Sequence, residues 1–181
     1  MTSALHFLIN TVFSILTLVF LLRFLMQMLR ASFNNPIGQI VIALTDFAVK
    51  PARRFIPGWK KLDLSTLVLA FLVQLILQLI LLSLSQIQVL TNTPVLAIAF
   101  FRATLGVAST LFDIFFYAIL LQVILSWVNP HTPFAPVLHS ITQPILGPIQ
   151  RIVPTISGID FSPLVAIILL QMLNIAIFSA L

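Results

Sequence analysis

The 181-residue chain has no cysteine, and its Asp and Glu together number only four, against nine Lys and Arg. Without thiols there can be no disulfide framework, thiolate metal site, catalytic cysteine or C-x-x-C-H haem attachment. The acids, Asp46, Asp63, Asp113 and Asp160, lie too far apart in sequence to suggest an acid–base pair, and His6, His131 and His139 lack ligand spacing. An enzyme is therefore the least expected class, with no cofactor or metal anticipated. Charge as a whole is scarce: 7% of residues are charged and 60% are hydrophobic, whereas soluble domains carry ~25% charge. Too little charge remains to solvate a soluble helical core.

What is present is a set of long uncharged apolar runs, Leu5–Leu22, Leu64–Leu84, about Leu105–Val128, and Phe161–Leu181. Runs of ~20 such residues are long enough to cross a bilayer. No Lys or Arg precedes the first run and no A-x-A site follows it, so it is expected to stay as a span rather than be cleaved. Six of the nine basic residues (Arg30, Lys50, Arg53, Arg54, Lys60, Lys61) fall between the first and second runs. Short basic loops stay cytoplasmic. That sets loops 30–63 and 129–160 inside and both termini outside, and it explains the basic balance without nucleic acid.

One stretch occurs twice. Residues 36–75 and 133–172 align without a gap at an offset of 97, and eleven positions are identical, among them Pro36/Pro133, Thr45/Thr142, Pro51/Pro148, Arg54/Arg151, Pro57/Pro154, Asp63/Asp160, Ser65/Ser162 and Gln74/Gln171. Prolines, an arginine and an aspartate each fix geometry or charge at one point, so their repetition marks a duplicated unit. The expected fold is an all-α membrane protein of four transmembrane helices in two parallel tandem repeats. Each repeat is a helix, a short amphipathic or re-entrant cytoplasmic helix, and a helix. The whole of 1–181 forms one membrane domain, with repeat 1 at about 5–84, repeat 2 at about 105–181, and an outer connection at 85–104.

In each copy a helix start (Asn35-Pro36, Thr132-Pro133) is followed by an apolar stripe at i, i+3, i+4, i+7 and i+11: Ile37, Ile40, Val41, Leu44, Ala48, then Phe134, Val137, Leu138, Ile141, Ile145. These predict amphipathic helices over 36–50 and 133–146, either interfacial or re-entrant. Next come Pro51-Ala-Arg-Arg-Phe-Ile-Pro57 and Pro148-Ile-Gln-Arg-Ile-Val-Pro154. Because proline stops helices, both read as stiff basic turns. Lys50, Arg53, Arg54, Lys60, Lys61 and Arg151 are candidate contacts for anionic lipid headgroups or a partner. Alternatively Arg54 closes on Asp63 and Arg151 on Asp160. Asp63-Leu-Ser65 and Asp160-Phe-Ser162 then cap the following spans, with Trp59 and Trp127 near the same membrane face.

Polar groups inside the spans are few. Arg23 either snorkels to the headgroups or forms a buried ion pair. Gln74, Gln78, Gln122 and Gln171 suit hydrogen bonds between helices. Asp113 falls within the third span, where an acid is functional by default.

Two copies of N/T-P, then P-x-x-R-x-(I/V)-P, then D-x-S opening an apolar span, resemble the YggT (YlmG) family of small integral membrane proteins. The residues carrying the resemblance are Arg23, Asn35, Pro36, Pro51, Arg54, Pro57, Asp63 and Ser65, with Pro133, Pro144, Pro148, Arg151, Pro154, Gly158, Asp160 and Ser162. The resemblance implies a bacterial inner-membrane protein without an established catalytic activity. Family roles range over osmotic and ion stress, cell division and haem attachment in plastids. The expected function is a scaffold, assembly or stress-tolerance factor presenting a basic face to anionic lipid and an unidentified membrane protein, and able to form homo-oligomers. The alternative is a channel or carrier subunit using Asp113 and the glutamines.

Overall fold

The computed structural model describes residues 2–56, 62–84, 94–129, 132–155 and 160–178. Pro57, Trp59, Lys60, Lys61, His131 and Gly158 lie outside the described residues. The described chain is all-helical: α1 (Thr2–Met28), α2 (Pro36–Phe55), α3 (Leu64–Leu84), α4 (Val95–Val128), α5 (Ala135–Gln150) and α6 (Ser162–Phe178). Three of these, α1, α3 and α4, are long and apolar enough to cross a membrane. The fourth expected span, α6, is apolar but has 17 described residues, somewhat short of the ~20 a straight crossing uses.

The lower half of α1 is the hub. Phe20, Leu21 and Met26 are fully buried and Leu25 nearly so, positions that point all round the helix, because α2, α3, α4 and α5 all pack against α1. Its upper half leaves Phe7, Leu8, Val12 and Ile15 exposed, as lipid-facing side chains would be. The helix stops where Arg30 takes φ 56. There Ala31 N–H reaches Met26 O at 2.8 Å and Arg30 N–H reaches Gln27 O at 3.2 Å, the paired bonds of a left-handed C-terminal cap.

The offset of 97 maps α1, α2 and α3 onto α4, α5 and α6. The contacts α1–α3, α1–α2 and α2–α3 recur as α4–α6, α4–α5 and α5–α6. Gln74 on α3 lies 3.4 Å from the Thr17 hydroxyl on α1, and it also fills the space beside Gly106 on α4, where an added Cβ would lie 2.0 Å from the Gln74 amide. Gln74 thus bridges α1 and α4 where both pack on α3.

Several boundaries differ from the sequence expectation. Asn35 caps α2 as expected, with its Oδ1 accepting from Gly38 N–H at 2.9 Å and Pro36 opening the helix. The helix then runs through Pro51 to Phe55, and α5 runs through Pro144 and Pro148 to Gln150. Neither proline stops its helix. A missing N–H at position 51 costs only the bond to the Phe47 carbonyl, and residues further on still bond back. In the second copy Pro133 lies in a turn before the helix, which begins at Ala135. The expected outer connection at 85–104 overlaps the start of a helix. Residues 95–104 are the first turns of a continuous 34-residue α4, because nothing there breaks a helix. Residues 85–93 lie outside the described set.

Candidate functional site: the two elbows

In the first unit a chain of charges joins α1, α2 and α3. Arg23, with a side chain 7% exposed, donates to Asp46 Oδ1 at 2.8 Å and to Thr45 Oγ1 at 2.5 Å. Of the two sequence readings of Arg23, the buried ion pair is the one found. Lys50, one turn further along α2, meets the other Asp46 oxygen at 2.8 Å while remaining 73% exposed. Hydrogen bonds from Lys50 and Arg23 hold the Asp46 carboxyl below its ordinary value.

At the end of α2 the expected Arg54–Asp63 closure is not made. Arg53 reaches Asp63 Oδ2 at 2.5 Å and Gln27 Oε1 at 3.2 Å, while Arg54 is exposed. Because α2 continues past Pro51, helical geometry turns position 53 towards α3 and position 54 outward. Asp63 is 2% exposed, and its backbone carbonyl takes the Thr66 hydroxyl at 2.8 Å while Ser65 Oγ donates to Ile56 O at 2.7 Å. The first unit thus spends the Asp63 carboxylate on an arginine rather than on capping.

The second unit keeps the geometry and drops the charge. Gln150, the counterpart of Arg53, donates to Asp160 Oδ2 at 2.9 Å, and Arg151 is exposed, so the expected Arg151–Asp160 closure is also replaced. Here the carboxylate does cap its helix, accepting from Ser162 N–H at 2.8 Å. Burial pushes the Asp160 carboxyl up, but hydrogen bonds from Ser162 and Gln150 outweigh it and hold it below its ordinary value. Thr142, the counterpart of Thr45, bonds Gln122 on α4. In both units the duplicated threonine is what α1 or α4 holds on the following helix. Beside Gln122 a crevice of about 370 Å³ opens between α4 and α5, lined also by Ser126, Pro136 and His139.

The attitude of α2 follows from three contacts. Ile37 shares a crevice with Leu18 and Leu22, Asp46 meets Arg23, and Arg53 meets Gln27. Along α1 these levels descend by about seven residues, ~10 Å, while α2 advances sixteen residues, ~24 Å. The helix therefore starts deep beside α1 and slants out towards α1's end. Its faces are inverted for a helix in water. Gly38, Val41, Thr45 and Val49 are buried against the bundle, whereas Ile40 (59%), Leu44 (49%) and Phe47 (69%) are exposed. Of the expected stripe only Val41 is fully buried. On α5, Val137, Leu138 and Ile141 of the expected stripe are buried together with Thr142 and Leu146.

Among the remaining sequence-selected groups, Gln74 is buried between α1 and α4, Gln78 is half-buried, and Gln171 is exposed on α6. Asp113 is half-buried on α4, seven residues past Gly106. Among the described residues no three of His, Asp and Glu come together as a metal-binding group. The residue that sequence reasoning underrated is Asp46, which carries no duplicated partner. The available signals were its i, i+4 spacing to Lys50 and an otherwise unpaired Arg23 in a span.

Comparison with known proteins adds a family. The profile described as CCB3/YggT matches residues 2–84 and 101–181. An uncharacterised protein of Pseudomonas aeruginosa is 34% identical, the match covering 99% of this chain and 90% of that protein. The uncharacterised protein YggT of Escherichia coli K12 is 34% identical over 97% of this chain and 89% of its own length. An uncharacterised protein of Vibrio alginolyticus is 35% identical over 95% and 92%. No solved structure matches this chain.

Proposed function

The chain belongs to the CCB3/YggT family, and within it we propose a non-enzymatic scaffold or assembly factor of the bacterial inner membrane. In this reading α1, α3, α4 and α6 cross the bilayer, both termini are periplasmic, and both elbows are cytoplasmic. The observation that carries it is the division of charge around the elbows. Arg23 is tied to Asp46 and Arg53 to Asp63 within the chain. Lys50, Arg54 and Arg151 are left exposed around the same end of the molecule. Internal ion pairs brace the first elbow and the Gln150–Asp160 hydrogen bond the second, and the remaining cations face outward as a preformed docking surface, which lowers the ordering cost of binding a partner.

A photo-cross-linker at position 54 or 151, used in native membranes, tests this. The expected result is a discrete protein adduct from at least one elbow, with any adduct from position 54 reduced by Lys50→Gln. Adducts to lipid alone from both positions would refute the scaffold reading. Half-buried Asp113 supports the second reading, a channel or carrier subunit. That reading requires ion flux in liposomes that Asp113→Asn diminishes, and its absence at every pH would remove it.

A further inference from the structure

The two elbows have diverged in what they show to the outside. On α2, positions 40, 44, 47, 51 and 54 follow one another along a single helix face. Read from the deep end, that face is Ile40, Leu44 and Phe47, then Pro51, then Arg54, with Lys50 beside it. The three apolar side chains are 59%, 49% and 69% exposed, the Lys50 side chain is 73% exposed, and Arg54 is exposed. The corresponding positions on α5 are Val137, Ile141, Pro144, Pro148 and Arg151. Val137 and Ile141 are buried there, and the outward groups include His139 and Gln143. Among the described residues, only the first elbow offers an apolar strip leading into two exposed cations.

We propose that the outer face of α2 is a binding site for an anionic phospholipid, with acyl chains along Ile40, Leu44 and Phe47 and the headgroup phosphate against Lys50 and Arg54. The inverted faces of α2 carry the argument. Thr45 and Asp46 are turned inward to Arg23, so the exposed side of this helix is greasier than its packed side, an arrangement that suits hydrocarbon rather than water. The slant supplies the depth. The apolar strip lies on the part of α2 beside Leu22 and Arg23, and the cations lie at the level of Gln27 and the start of α3. A phospholipid has the same order, tails within and phosphate at the surface. Arg53 is committed to Asp63 and Gln27, which leaves Arg54 as the unshared guanidinium and Lys50 as a cation sharing only Asp46. The site rests on the reading that the elbows lie at the membrane surface, and it deepens that reading by naming one ligand for one elbow.

The experiment uses the full chain purified in a neutral detergent and titrated with phosphatidylglycerol or phosphatidylcholine, with bound lipid read by native mass spectrometry. The wild type is expected to retain phosphatidylglycerol in preference to phosphatidylcholine. The Lys50→Gln/Arg54→Gln variant should lose about 30-fold in apparent affinity, at roughly fivefold per cation. Phe47→Ser should weaken both lipids, Arg54→Lys should keep most of the binding, and Arg151→Gln should change nothing. An equal loss with Arg151→Gln would overturn the site, as would retention of phosphatidylglycerol by the double variant. Unfolding midpoints of all variants within a few degrees of wild type show that lost binding is not lost fold. Failure here leaves the protein-scaffold reading standing, because that one is tested by cross-linking in membranes without reference to lipid class.

Discussion

Replacing Asp46 by Asn removes both 2.8 Å ion pairs on that carboxylate and should destabilise the protein far more than replacing Lys50 by Gln, which removes only the exposed one. Burial makes the difference. The Arg23 side chain is 7% exposed and that of Lys50 is 73% exposed. Removing the partner of a buried charge costs ~3–5 kcal/mol, because that charge stays behind uncompensated. Asp46 is itself 23% exposed, and Thr45 still accepts from Arg23, so the low end, about 3 kcal/mol, is expected. An exposed i, i+4 pair contributes only ~0.3–0.5 kcal/mol. The double variant Arg23→Met/Asp46→Leu, which exchanges the pair for apolar groups, should return to within ~1 kcal/mol of wild type. Reversible unfolding in mixed micelles by titration with a denaturing detergent measures all four proteins. The reasoning is refuted if Asp46→Asn is no worse than Lys50→Gln, or if the double variant is as unstable as the single one.

Three further outcomes are expected. The lowered Asp46 value means the folded state holds the carboxylate more readily than the unfolded chain does, so its contribution is complete above the ordinary value of 3.8 and fades as pH falls through the lowered one. Wild type should therefore lose stability between pH 4 and 2, compared at equal salt, by more than Asp46→Asn does, and parallel curves would count against it. Gly106→Ala sets a Cβ 2.0 Å from the Gln74 amide and should cost ~1–3 kcal/mol. Gln74→Ala in the same chain should restore most of that, whereas no rescue would mean that α3 and α4 meet elsewhere. Asp63→Asn, losing a charged bond at a site 2% exposed, should cost about 2 kcal/mol. Asp160→Asn should cost under ~0.5 kcal/mol, since asparagine caps a helix as well as aspartate, and equal losses in the two would show that the elbows have not diverged.

The helical character and the duplication were legible because they rest on local signals. Uncharged runs, the Asn35-Pro36 start and the paired prolines act on their own stretch of chain whatever packs against it. The polar connections were only partly legible. Arg23 was visible as an anomaly in a span, but its partner sits on another helix, and only the packing of α2 on α1 reveals Asp46. The choice of Arg53 over Arg54 turned on whether helix continues past Pro51, since a residue's bearing changes by ~100° per position. The repeat pointed to Arg54 because it is duplicated, yet the position that reaches the aspartate holds Arg in one copy and Gln in the other. The apolar stripe of α2 was legible as a stripe but not for which side faces inward. In a membrane both sides of a slanted helix meet apolar surroundings, and here the polar groups are the ones drawn to the bundle.

The absence of cysteine makes the central claim directly accessible. Single cysteines placed at 54, at 151 and at an outer position such as Ser3, then treated in intact cells with a membrane-impermeant thiol reagent, report which side each occupies. The account predicts labelling at position 3 from outside, and labelling at 54 and 151 only after the membrane is opened. Labelling of either elbow in intact cells, or of one elbow and not the other, would contradict it.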